Sequence, residues 1–494
     1  MISLTYEQKK SLGFQFLLDQ MSADCVYGQE QIRQCRPYTP GEWESLQQEL
    51  ARLGALTENY GKCRGFWDRV ERILMNLKEI RGSLKRAKDS VLTDLELFEC
   101  KQFLLQMEKM WQFYQEEQAV ELSGISWRDC RGALNLLDPE GRRLPGFYLA
   151  DAYDEELARV REEKKRLEVL LRLKRSDKEK AELLGKRQAL VAREEQIAQN
   201  VRRRLTNELR PYLEDMEENC RIAGELDFLL QKAKLALAYG GICPKVECRG
   251  AASEGRVRLN LFEMQNPMLQ ESLKERGKEF APISFSMEEG CAVITGANMG
   301  GKSVALRTLA LQVVLAQSGF FVYAGEAELP MFDHISLIAE EYQAMGSGLS
   351  SFGGEIMELS EALNRQKEGF SLMIFDELAR GTNPDEGAVI VRAAVQYLKK
   401  RCCMAIFATH YDHVAEYGDY HYQVMGLRNV DMQKLRQEIA CIGARKGIDV
   451  IAQYMDYGIY QVHGAEECPR DAIHICGLLG LEPELLRLIE EAQE

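Results

Sequence analysis

The chain has 494 residues, 46% hydrophobic and 28% charged, with 63 Lys+Arg against 77 Asp+Glu and a formal net charge of −14. At roughly 100–200 residues per domain this length allows two to four domains with a large core, which excludes a wholly disordered chain, and its longest apolar runs, such as Leu309–Ala316, fall short of the roughly 18–20 residues that cross a bilayer. Its 14 Cys, with no signal-peptide pattern over Met1–Lys10, point to the cytoplasm, because secreted chains normally pair their thiols.

Residues 1–150 read as a helical core. Apolar residues recur at helical spacing at Leu46, Leu50, Leu53 and Leu56 and again from Leu95 through Leu97, Phe98, Phe103, Leu104 and Leu105. Turn chemistry gathers at Pro37–Gly41 and at Gly124–Gly146, where Pro139, Gly141, Pro145 and Gly146 break a continuous helix and mark a seam.

Residues 151–210 follow as a helical arm. From Asp154 to Arg210 there is one Gly and no Pro, with seven-residue spacing at Leu183, Leu190 and Ile197 that suggests a coiled coil. Between Arg159 and Arg204 there are 16 Lys/Arg and eight Asp/Glu, a local charge of +8 in a chain that sums to −14, so the remainder carries −22. Charged faces on long helices are usually just solvated. Arg202, Arg203 and Arg204 are nonetheless candidate contacts for a polyanion or an acidic protein.

A returning helix over 211–245 is broken by Tyr239-Gly-Gly-Ile-Cys-Pro244. Over 246–470 strand-like runs (Cys291–Thr295, Leu372–Phe375, Met404–Ala408) alternate with helical ones (Lys302–Gln317, Glu355–Gln366, Gly387–Lys400), which predicts a parallel sheet with crossover helices. A helical segment closes the chain over 471–494.

The chemistry concentrates in that α/β region. Gly296, Ala297, Asn298, Met299, Gly300, Gly301, Lys302 and Ser303 fit G-x-x-x-x-G-K-[ST], after an apolar run and before a helix, as a phosphate-binding P-loop requires. Backbone N–H groups and the helix N-terminus would face phosphate oxygens, Lys302 would neutralise their charge, and the Ser303 hydroxyl would ligate Mg²⁺. Leu372-Met-Ile-Phe-Asp376-Glu377 ends a buried-strand pattern about 75 residues later, with Asp376 placed for the metal and Glu377 for an attacking water. Phe407-Ala-Thr409-His410 ends the next strand, where His410 would sense the terminal phosphate. His410 and His413 beside Cys402 and Cys403 lack a CxxC or HExxH partner, and Cys243, Cys248, Cys468 and Cys476 lack a second pair, so no zinc site is predicted.

Thr295-Gly-Ala-Asn-Met-Gly-Gly-Lys-Ser303, Phe375-Asp-Glu-Leu-Ala-Arg-Gly-Thr382 and Phe407-Ala-Thr-His-Tyr411 closely resemble the MutS family of mismatch-repair ATPases. Ser350-Ser-Phe-Gly-Gly-Glu355 looks like that family's Ser-Thr-Phe-x-x-Glu signature, and Asp456–Ala492 like its closing helices. Upstream, 144–157 looks like the entry to a clamp arm, Leu226–Ala238 like a returning lever helix, and residues 10–120 like the lever of the second MutS branch. The resemblance implies an ABC-type P-loop NTPase, preceded by an all-α lever and coiled-coil clamp region. It implies ATP and Mg²⁺ as ligands, Phe280 flanking adenine, and a homodimer in which Ser350 and Ser351 complete the partner's site.

Departures from the family bear on the far end of the molecule. A Phe-x-Glu mismatch wedge, a strand-rich arm tip and a nuclease domain after Glu494 are expected to be absent. Ala297 stands where the family usually has Pro, Val304 where it has Thr, Ala379 where it has Gly, and Asp431 where some members have His. Two functions follow from the resemblance. The first is an ATP-driven clamp on double-stranded DNA. The second is an ATPase acting on a protein client, as in the reactivating factors of cobalamin-dependent aminomutases of the lysine 5,6-aminomutase type, to whose sequences the Ala379-Arg-Gly-Thr-Asn-Pro384 segment of this chain is similar.

Overall fold

The computed structural model describes residues 2, 4–116, 125–144, 146, 149–173, 177–249, 257–275, 277–296, 301–339, 351–428, 430–442, 450–451, 454–462, 478 and 481–491. The chain forms two compact units: Met1–Met21, Cys35–Gly54 and Lys232–Glu494 make one, and Ser22–Gln34 with Ala55–Gln231 the other. No helix among the described residues is long and apolar enough to cross a membrane.

The first unit holds two sheets. The smaller contains β1 (Lys245–Glu247), β2 (Arg258–Met264), β3 (Ile283–Glu288) and β5 (Glu326–Pro330) in the order β1-β5-β2-β3. The larger contains β4 (Gly290–Thr295), β6 (His334–Ala339), β7 (Ser371–Asp376), β8 (Cys403–Ala408), β9 (Tyr420–Gly426) and β10 (Asp456–Gln461) in the order β10-β9-β4-β8-β7-β6. All its pairings are parallel except β10 with β9. Every residue of β4 and β8 is buried, as expected for central parallel strands covered on both faces. This is why their sequences read as unbroken apolar runs.

Helices Ser351–Gln366 and Pro384–Leu398 contribute to one core against the large sheet, where Phe375 and Phe407 stack at 4.3 Å between centroids. Helix Lys302–Gln317 is buried at every position from Thr308 to Gln317. It touches β7, β8 and β10 of the large sheet, β2 and β3 of the small one, and the N-terminal helices Tyr6–Leu12 and Phe14–Gln20. Its far end is fastened by polar groups: Gln317 Nε2 donates to the Phe332 (2.7 Å) and Tyr38 (3.0 Å) carbonyls, and Lys232 Nζ lies 2.9 Å from Glu49 Oε1. The N-terminal segments Met1–Met21 and Cys35–Gly54 therefore belong with helix Lys302–Gln317, although they read in sequence as part of one helical stretch with their neighbours.

The resemblance matched Asp456–Ala492 to closing helices. Asp456–Gln461 is instead a strand, β10, paired to the edge of β9, and helix follows at Pro483–Glu491.

In the second unit the described residues form helices and no strands. Phe66 and Phe113 stack at 4.7 Å in its core, and a buried Lys101–Asp138 pair sits at 3.0 Å. The sequence between Asp154 and Arg210 folds as two helices, Glu155–Arg172 and Asp177–Leu209. They run antiparallel, since Arg161 bonds Glu194 (2.9 Å) while Arg187 meets Glu168 (3.3 Å). Leu183 and Leu190 are half-buried and Ile197 buried on the shared seam.

Candidate functional site

Three strand ends converge at one edge of the large sheet. Ile294 of β4 and Asp376 of β7 both stand opposite Ala408 of β8. The residues just beyond are cross-tied: the Thr409 N–H donates to the Ile294 carbonyl and the Glu377 N–H to the Ala408 carbonyl, each at 3.0 Å. In parallel α/β sheets this carboxyl edge is where ligands bind.

Gly301 begins the helix that rises from β4. It has φ of +95°, and a Cβ there would lie 2.7 Å from Tyr457 Cδ1, so both backbone and space call for glycine. Lys302 is 2% exposed, with Nζ donating to the Gly296 carbonyl at 2.5 Å and 3.7 Å from Glu377 Oε1. Of the Gly-rich motif, Gly296, Gly301, Lys302 and Ser303 are described; Ala297, Asn298, Met299 and Gly300 lie outside the described residues, as do Ser350 and the Ser351 side chain.

Glu377 has the cations of Lys302 and Arg380 and the imidazole of His410 beside it. His410 Nδ1 lies 3.8 Å from its Oε1, too long for a hydrogen bond, and Arg380 Nη1 lies 3.0 Å from its Oε2. The polar pull of His410, joined by the charges of Lys302 and Arg380, holds the Glu377 carboxyl below its usual range against the opposing effect of burial. Asp376 behaves oppositely. Burial, with the adjacent Glu377 charge, pushes its carboxyl up, although a hydrogen bond from Ser303 and the charges of Arg307 and Lys302 oppose this. Its Oδ1 is buried without a hydrogen-bond partner. An orphaned carboxylate oxygen beside a hydroxyl is a donor set that suits a hard cation such as Mg²⁺.

Lys302, Ser303, Asp376, Glu377 and His410 are thus brought together. Phe280 is half-buried in the segment before β3. Arg202 and Arg204 have intramolecular partners: Arg202 pairs with Asp94 (2.8 Å) and Glu195 (3.0 Å), and Arg204 donates to the Tyr153 carbonyl. Arg203 is exposed. Asp431, one of the departures, caps helix Met432–Ile442 by accepting the N–H groups of Gln433 (3.0 Å) and Lys434 (3.2 Å).

Sequence reasoning did not single out four residues that shape this edge. Thr295, the last residue of β4, has its hydroxyl 2.7 Å from His421 Nε2 on β9, a pairing that depends on long-range register. Glu355 and Tyr411 stood inside the quoted motifs with no role attached, and Arg380 follows the Asp-Glu pair.

The family model for MutS domain V matches residues 292–475. The chain is 35% identical over 242 residues to the DNA mismatch repair protein MutS of Thermus aquaticus, covering 49% of this chain and 28% of that protein. It is 31% identical over 245 residues to the Endonuclease MutS2 of Shouchella clausii, covering 49% of this chain and 29% of that protein, so the matches span less than a third of either relative. Residues 292–475 match the model of MutS domain V, and over about half its length the chain is similar to these MutS and MutS2 proteins.

Proposed function

We propose that this chain is an ATPase that binds and hydrolyses Mg²⁺-ATP at the carboxyl edge of the large sheet, working as a homodimer whose motion acts on DNA. The observation that carries the ATPase reading is the gathering of Lys302, Asp376, Glu377 and His410 beside one helix N-terminus. Lys302 holds the phosphates and the helix N-terminus adds its positive dipole end. Ser303 and Asp376 would hold Mg²⁺, which when bound neutralises charge on the phosphate oxygens. Glu377, kept ionised by its cationic neighbours, orients the attacking water. His410 senses the terminal phosphate, Phe280 flanks the adenine, and Ser350 with Ser351 completes the partner's site.

In this reading residues 1–150 are core and lever, 151–210 a shortened clamp arm, 211–245 the returning lever, 246–470 the ATPase domain and 471–494 a C-terminal helical segment. The relatives are named for DNA mismatch repair and endonuclease function, and the +8 stretch of the arm suits backbone contacts that read no sequence. Titrating labelled duplex at low and moderate salt, with and without Mg²⁺-ATP, tests it. The expected result is a steep salt slope that Arg203→Ala reduces and ATP modulates; binding confined to the nonspecific range of about 10⁻⁴–10⁻⁶ M, unmoved by ATP, would contradict the DNA role.

One observation favours the protein-client reading. Val169, Leu173, Leu184 and Val191 of the arm are exposed apolar side chains, which a phosphate backbone does not use, while Arg202 and Arg204 already have intramolecular partners. A client such as a cobalamin-dependent aminomutase would fit such a surface.

A further inference from the structure

The turn that follows β7 is held in an unusual backbone conformation by side chains from two other elements. Glu377 and Ala379 both have positive φ, +56° and +63°, a region that L residues with a Cβ occupy only when their surroundings impose it. The Ala379 N–H donates to Glu355 Oε2 at 2.7 Å, and the Ala379 carbonyl accepts from the Tyr411 hydroxyl at 2.8 Å. Glu355 belongs to helix Ser351–Gln366 and is 3% exposed. Burying a carboxylate is costly, and here one of its oxygens accepts the Ala379 peptide N–H. Tyr411 follows His410 directly, their rings 4.6 Å apart, and its own N–H donates to Thr409 Oγ1 at 3.1 Å. Space for the arrangement comes from helix Pro384–Leu398: a Cβ on Gly387 would stand 2.3 Å from the Tyr411 hydroxyl and 2.9 Å from the Ala379 carbonyl oxygen.

We propose that Glu355 and Tyr411 are positioning residues that grip the Ala379 peptide from both ends and so set where the Glu377 carboxylate points, coupling hydrolysis to the seating of helix Ser351–Gln366. This rests on the reading of Glu377 as the water-orienting group. Ala379 is two residues beyond Glu377, and the turn between them is short and closed: Arg380 N–H donates to the Glu377 carbonyl at 3.3 Å and the Arg380 side chain returns to the Glu377 carboxylate. A rotation of the 379 peptide therefore carries the Glu377 side chain with it. Catalytic groups tolerate little displacement, since a misplacement of about 1 Å can cost about 100-fold in rate. Because Glu355 lies four residues into a helix that begins at Ser351, a shift of that helix alters the grip on Ala379 without any contact between Glu355 and nucleotide.

The test is steady-state Mg²⁺-ATP turnover and equilibrium ATP affinity of the full chain carrying Glu355→Leu, Glu355→Gln or Tyr411→Phe, with Glu377→Gln alongside. Glu355→Leu removes the acceptor, and kcat should fall about 10–100-fold with ATP affinity within about threefold. Glu355→Gln keeps an oxygen that can accept the Ala379 N–H and should restore kcat to within about threefold of the parent protein. Tyr411→Phe removes one hydroxyl from an intact ring, so it reads out the grip even where Glu355→Leu does not fold; kcat should drop about 3–10-fold. Unchanged kcat in Tyr411→Phe and Glu355→Leu, or a Gln variant as slow as Leu, overturns the positioning role, provided Glu377→Gln is inactive. Full turnover by Glu377→Gln would instead overturn the reading beneath it.

Discussion

The hydroxyl of Thr295 lies 2.7 Å from Nε2 of His421, tying the last residue before the glycine-rich motif to the neighbouring strand β9. Thr295 is 4% exposed, so removing the imidazole leaves a buried hydroxyl without this partner, a loss of about 1–3 kcal/mol. His421→Ala should weaken ATP binding about fivefold or more while kcat at saturation changes little, because the ring ties the residue at the root of the glycine-rich motif. Calorimetric titration of ATP checks this; an unchanged affinity would show that the loop holds its form without the tie.

Ala379 occupies the left-handed region that glycine prefers, and the family usually has Gly there. Ala379→Gly keeps both hydrogen bonds of the peptide and relieves the Cβ conflict, at some cost in unfolded-state entropy. A net gain of about 1 kcal/mol in unfolding free energy is expected, read as a higher denaturant midpoint with an unchanged slope.

In the helical unit, Lys101 and Asp138 are both nearly inaccessible, and Lys101 also donates to the Gly146 carbonyl at 3.0 Å. Asp138→Ala strands a buried ammonium and should cost about 3–5 kcal/mol. Burial pushes the Asp138 carboxyl up, but the Arg143 N–H and the Lys101 ammonium together hold it below its ordinary value. The stability it contributes is therefore complete above the ordinary Asp pKa of about 3.9 and is lost as pH falls through the lower folded value. Amide exchange across helix Asp94–Glu116, followed with pH, checks both statements.

Asp376 has the opposite sign. Its folded pKa is raised, chiefly by burial, so its contribution to stability is complete below the ordinary Asp pKa and is lost as pH rises through the folded value. In chelator at neutral pH, Asp376→Asn should raise the melting temperature by about 2–4 °C while removing Mg²⁺-dependent turnover. The gap should narrow as pH falls toward the folded pKa. A lower melting temperature would mean that the buried carboxylate is stabilising as it stands.

The sequence made the α/β region legible because local and global signals agree there. Lys302–Gln317 was bounded to the residue, since a glycine-rich turn opens the helix and Ser318-Gly319 closes it. The predicted strands at 291, 372 and 404 each lie within one residue of the observed starts, as fully buried parallel strands announce themselves by unbroken apolar runs. Long-range pairings were not legible. Nothing local marks His421 as the partner of Thr295, or Glu355 as the acceptor for Ala379, because both depend on which elements the sheet order brings side by side. Arg202 shows the reverse limit: a run of three arginines reads as a basic patch, yet Asp94, more than a hundred residues earlier, pairs with one of them.

The role assigned to Glu377 is tested most directly by measuring ATP binding and Mg²⁺-ATP hydrolysis side by side in Glu377→Gln and Lys302→Ala. Glu377→Gln should bind ATP with near-parental affinity and lose turnover by at least about 100-fold, whereas Lys302→Ala should lose binding itself. Hydrolysis by Glu377→Gln at the parental rate would contradict the assignment of this carboxylate to the attacking water.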